Sequence, residues 1–187
     1  MYIHPFFENV HNQRVVVGKA GGGGVIMKPL ASTMGVVAGN RCLKESTMVY
    51  RMIFNQTAYF GRGAIKEIPN VAKSHGFTKA FIVTDPVLLK TGTVKKVTDV
   101  LDEAGMPYEV FDNVKPNPPV ECIQDGVAKF AASGADFLIG LGGGSPQDTC
   151  KGIGIVTANP EFADVLSLEG VADTKNPSVP IFGVPTT

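Results

Sequence analysis

A chain of 187 residues, 44% hydrophobic and 18% charged, is long enough to fold around a sizeable core and too apolar to stay disordered throughout. Its 17 basic residues balance 17 acidic ones, so no net field draws it to nucleic acid or an anionic membrane, and neither is expected as a partner. No apolar run approaches the roughly 18 to 20 residues of a membrane helix, no signal-peptide pattern opens the chain, and Cys42, Cys122 and Cys150 share no CxxC or metal-ligand spacing, so the expectation is a cytoplasmic protein with reduced thiols.

Residues 1–47 differ in character from the rest of the chain: Gly21 to Gly24 form a run that resists ordering, and the apolar residues keep no sustained period. They read as an extension, flexible or foreign to the domain, with Val15 to Val17 and Gly35 to Ala38 as isolated strand candidates and an edge hairpin as the alternative. Regular structure is expected over 48–187. RMIFNQTAYF reads as one or two short strands before Gly61 and Gly63, and helical spacing comes next around Ile65 to Ser74, interrupted or started by Pro69. AFIVTD (Ala80 to Asp85) has the continuous apolar character of a strand covered on both faces. Val94, Val97, Leu101 and Ala104 then make a helical stripe that Gly105 ends.

The cycle recurs. YEVFDNV predicts a strand, PNPP punctuates it, and Ile123, Val127, Phe130 and Ala131 mark a helix ending near Gly134. DFLIGLG is a further buried strand, a helix starts at Ser145, and VPIFGV is the last strand. This alternation predicts an α/β, Rossmann-like fold: a parallel sheet with helices on both faces, whose ligands bind beyond the carboxyl ends of the strands.

Four candidates stand at those ends: Asp85, Asn117, the turn from Gly142 to Asp148, and Thr186 with Thr187. In LGGGSPQDT, Ser145 fits the N-cap, Pro146 the first helical position and Asp148 the third, a capping box with Asp replacing Glu. Unpaired amides at such a helix start carry partial positive charge, and glycines keep side chains out of an anion's way. The turn therefore reads as a pyrophosphate site, against the alternative that its glycines serve only backbone freedom. Asp85 either accepts hydrogen bonds from an adenosine ribose, which favours NAD over NADP, or merely caps the turn before Pro86. Neither GxxxxGK[ST] nor an early GxGxxG is present.

FNQTAYFGRGAI, KAFIVTD, PNP, GADFLIGLGGGSPQDTCKGIGI, NPEFADV, SLEG and PSVPIFGVPTT together resemble the amino-terminal half of the iron-containing alcohol dehydrogenases, in particular their lactaldehyde reductase branch, over about Met48 to Thr187. The resemblance implies an NAD-binding domain in which Gly143, Gly144 and Ser145 wrap the pyrophosphate, Asp85 meets the adenosine ribose, and Asn117, Thr186 and Thr187 line the cleft. It implies hydride transfer between a small aldehyde and an alcohol, a homodimeric complete enzyme, and Fe²⁺ or Zn²⁺ held by one Asp and three His on a helical carboxyl-terminal domain. That domain would lie beyond Thr187, and His4, His11 and His75 have no carboxylate at ligand spacing, so no metal ligand and no catalytic residue is assigned. The expectation is a chain that binds NAD without catalysing hydride transfer by itself; the alternative is a non-catalytic nucleotide-binding module acting with a partner chain.

Overall fold

The computed structural model describes residues 14–18, 57–168 and 174–186. Six strands, β1 (Arg14–Gly18), β2 (Thr57–Phe60), β3 (Ala80–Val83), β4 (Tyr108–Phe111), β5 (Phe137–Gly142) and β6 (Ile181–Pro185), make one sheet in the order β2-β1-β6-β5-β3-β4. Every pairing is parallel. Among the described residues five α-helices accompany it: α1 (Glu67–Ser74), α2 (Pro86–Lys90), α3 (Thr93–Glu103), α4 (Val120–Ser133) and α5 (Gly144–Ala158).

The strands form where the apolar runs predict them. All four residues of β3 and all six of β5 are buried, because helices cover both faces. Their alternating side chains feed two cores. On one face Ala80, Ile82, Phe137, Ile139 and Phe182 meet Ile68 and Ala72 of α1 and Val94, Val97 and Leu101 of α3. On the other, Phe81, Val83, Leu138 and Ile181 meet Cys122, Ile123 and Phe130 of α4 and Cys150, Ile153 and Val156 of α5. Each large side chain fully removed from water contributes about 1.5–3 kcal/mol. The connection from β3 to β4 runs by α3 on the first face, while the return from β4 to β5 and onward to β6 uses α4 and α5 on the second. Opposite directions of travel on opposite faces are what a constant hand of crossover demands.

Several expectations change in detail. Pro69 neither breaks nor opens a helix: it is the third residue of α1, in the first turn, where an amide hydrogen would have no helical partner. Ala131 lies on the exposed side of α4, whose buried residues are Cys122, Ile123, Gly126 and Phe130. A short helix, α2, occupies residues that show no period. Within the stretch read as an extension, Arg14–Gly18 stands as a strand between β2 and β6. The rest of 1–47, including Gly35 to Ala38, lies outside the described residues, as do 48–56.

The amino-terminal edge of the sheet is drawn together by Asp136. Its carboxylate accepts from Thr78 N at 2.7 Å, Thr78 Oγ1 at 2.8 Å and Lys79 N at 3.1 Å. Partial burial raises the pKa of this carboxyl, but the bonds from Lys79 and Thr78 outweigh that and hold it below the usual value.

Candidate functional site

β3 and β5 are neighbours, yet the chain leaves their carboxyl ends in opposite directions, toward β4 from one and toward β6 from the other. Such a topological switch point opens a crevice between the two outgoing loops. The pairing Val83↔Gly140 brings Asp85, two residues past it, to the same end of the sheet as Gly142 and the glycine turn. Leu88, in α2, lies close to the turn: a methyl built on Gly142 would lie 3.1 Å from Leu88 Cδ1 and 2.7 Å from Pro146 Cγ. Gly142 also has φ 142°, a conformation that L side chains rarely adopt, so glycine is required there on two counts.

The start of α5 differs from its sequence-based reading. Gly143 occupies the N-cap in place of Ser145, and no side chain caps the helix. Ser145 is the second helical residue, Pro146 the third and Asp148 the fifth. Asp148 Oδ1 instead accepts from Lys151 Nζ at 3.2 Å, one turn further on. The physical reason is that Gly143 takes the extended backbone of a cap at φ −76°, ψ −157°, which starts the helix two residues early. The shift sharpens the chemistry. Gln147 N makes the first helical bond, to Gly143 O at 3.3 Å, and Pro146 has no amide hydrogen. The amides of Gly144 and Ser145 donate to no described residue, and a methyl on Gly144 would meet nothing within 4 Å. An uncapped 15-residue helix therefore presents two donors, its dipole and open space.

α2 starts in the opposite manner. Asp85 is its N-cap, and Oδ1 accepts from both Val87 N and Leu88 N at 2.9 Å. The capping alternative for this residue is thus present, and it occupies one oxygen only; Oδ2 makes no hydrogen bond with a described residue. Thr186 reaches the same place from β6, donating its backbone N–H to Gly142 O at 3.2 Å. Asn117 stands farther out, exposed in the loop after β4, with φ 50°. Thr187 lies outside the described residues.

Sequence reasoning passes over Gln147 and Leu88. The signal for Gln147 is Gly140, a glycine inside a buried strand where an apolar residue is expected; the slot it leaves on the α5 face holds the Gln147 amide, whose Nε2 donates to Gly140 O at 2.6 Å. Among the described residues, no three His, Cys, Asp or Glu gather in a way that could hold a metal ion. Burial pushes the Cys122 thiol up in pKa, against a backbone hydrogen bond from Lys115, so it stays protonated and donates to Asn113 O. No helix among the described residues is long and apolar enough to cross a membrane.

Comparison with known proteins agrees with this architecture. The family model of the iron-containing alcohol dehydrogenases matches residues 55–187. Lactaldehyde reductase of Escherichia coli K12 is 54% identical over 140 residues, which cover 75% of this chain and 37% of that protein. The NAD-dependent methanol dehydrogenase of Bacillus methanolicus is 38% identical, over 68% of this chain and 33% of its own. Among solved structures, an alcohol dehydrogenase from Oenococcus oeni superposes with TM-score 0.68 at 37% identity, covering 74% of this chain and 36% of its own. Sulfoacetaldehyde reductase from Bifidobacterium kashiwanohense, solved in complex with NAD⁺, gives TM-score 0.64 at 25% identity, over 75% and 36% of the two chains. The chain spans 37% of the length of the lactaldehyde reductase it matches. With the parallel sheet, the glycine turn and the family match in agreement, this chain belongs to the iron-containing alcohol dehydrogenases.

Proposed function

We propose that this chain is the NAD-binding part of a lactaldehyde reductase-like alcohol dehydrogenase, which interconverts a small aldehyde and its alcohol and works as a cytoplasmic homodimer when complete. The observation that carries the reading is the opening of α5: two unpaired amides and an uncapped dipole stand beside a glycine with free space around it, at the sheet's switch point. The amides of Gly144 and Ser145, with Gly143 beneath them, hold the dinucleotide's diphosphate. Asp85 uses its second oxygen for the adenosine ribose hydroxyls, where a 2′-phosphate would be repelled. Thr186 continues the same wall, Thr187 is assigned to the cofactor with it, and Asn117 borders the cleft from the β4 side. NAD, once bound, supplies the hydride acceptor for the alcohol and, reduced, the donor for the aldehyde. In this reading the NAD-binding part does not turn over substrate by itself.

Titration with NADH and NADPH tests this. The parent chain should bind NADH and discriminate against NADPH. Gly144→Val, which fills the open space with a branched side chain, should lose NADH binding while its far-ultraviolet circular dichroism stays near that of the parent. Undiminished binding by Gly144→Val would remove the diphosphate assignment.

A further inference from the structure

The uncapped start of α5 poses a mechanical problem. A helix whose first residues are Gly144 and Ser145, preceded by two more glycines, has little of its own to fix the direction in which its amides point. Hydrogen bonds to an anion weaken steeply with misalignment, so that direction decides how well a diphosphate is held. Two contacts brace the turn from below, the Pro146 ring against Gly142 and Thr186 N on Gly142 O. Both act on Gly142, upstream of the amides themselves.

Gln147 acts from the other side. Its backbone N–H closes the first helical turn onto Gly143 O at 3.3 Å, and its side chain returns to the strand, where Nε2 donates to Gly140 O at 2.6 Å. One residue therefore ties the first turn both to the loop below it and to the middle of β5. Gly140 makes the tie possible: on the face of β5 toward α5, a methyl there would lie 2.9 Å from Gln147 Oε1 and 3.2 Å from Cys150 Cβ. The amide lies in the slot that the missing side chain leaves.

We propose that Gln147, seated over Gly140, is a positioning residue for the cofactor's diphosphate: it touches no ligand and sets the direction of the Gly144 and Ser145 amides. This rests on the assignment of the glycine turn as the diphosphate site. Two variants of the full 187-residue chain break the same contact from opposite sides. Gln147→Leu keeps the bulk and removes the donor; Gly140→Ala keeps the donor and drives it off the carbonyl.

Each should weaken NADH binding by about threefold to tenfold, the range set by one lost hydrogen bond. The double variant should be no weaker than the poorer single one, because both remove one interaction. Adenosine, which has no phosphate, should bind both variants as it binds the parent, read from amide shifts near Asp85. NADH affinity of Gln147→Leu within twofold of the parent overturns the proposal, and so does an equal loss for adenosine and NADH. Should Gln147→Leu fail to fold, Gly140→Ala decides on the same criteria. If the parent binds NADH with shifts at Gly144 and Ser145 while Gln147→Leu is indifferent, only the positioning role falls. If the parent shows no such binding, the diphosphate assignment fails and takes this proposal with it.

Discussion

Two aspartates show how differently one residue type acts according to where the backbone sets it. Asp148 has the sequence position of the third helical residue, the acid of a capping box, yet in the structure it is the fifth helical residue, paired with Lys151 on a partly exposed surface. Asp148→Ala should therefore cost no more than about 0.5 kcal/mol, the scale of an exposed ion pair, and leave the urea midpoint almost unmoved. Asp136 is the stronger contributor, with three hydrogen bonds from Thr78 and Lys79. Its folded pKa lies below the ordinary 3.8, so the stability it adds is present above that value and is lost as pH falls through the folded one. Asp136→Ala should lower stability at pH 7 by roughly 1 kcal/mol, and its stability should fall less than the parent's as pH is taken below 4, measured by urea unfolding across pH. At this scale the sequence named Asp85, Gly143, Gly144 and Ser145, because strand ends and glycine runs announce themselves locally. It did not reveal which of Gly143 and Ser145 would cap α5, a choice made by one residue's backbone angles.

Among the described helices, α5 buries the most residues. Pro146, Thr149, Cys150 and every residue from Gly152 to Val156 are buried, since the helix is clasped between the sheet, α4 and the segment leading into β6. Its glycines make that possible. A methyl on Gly152 would lie 2.8, 3.1 and 3.3 Å from three carbons of Ile123, and one on Gly154 would lie 2.5 Å from Ser178 Oγ. In an exposed helix, glycine to alanine gains nearly 1 kcal/mol. Here the crowding reverses the sign: Gly152→Ala should destabilise by about 1–2 kcal/mol, and adding Ile123→Val should recover part of it, a coupling that thermal melts of the four variants would show. The strands β3 and β5 were legible because unbroken apolar runs of this length fit a doubly covered sheet. α2 was not, because five residues are too few to display a period; only Asp85 followed by Pro86 marked its start.

For the molecule as a whole, alternation of strand and helix was enough to predict a parallel sheet. The order of strands was not written locally: nothing within Arg14–Gly18 states that its neighbours are β2 and β6. Pairings between distant segments are decided by the assembled sheet. In the proposed reading the order matters for function, because the switch point between β3 and β5 brings Asp85 to the same end of the sheet as Gly142 and the adjoining start of α5, which lie far from it in the chain. A ligand seated there bridges two halves of the sheet and should stabilise both. NADH at a hundred times its dissociation constant should raise stability by about 2.7 kcal/mol, seen as a higher melting temperature for the parent and none for Gly144→Val.

The proline ring lodged against Gly142 and the Thr186 amide, just past β6, that donates to the same residue's carbonyl act as a doorstop and a latch. Under the proposed assignment, a turn held at Gly142 before its guest arrives surrenders less freedom on capture, and how long the guest stays is governed by the strength of its grip.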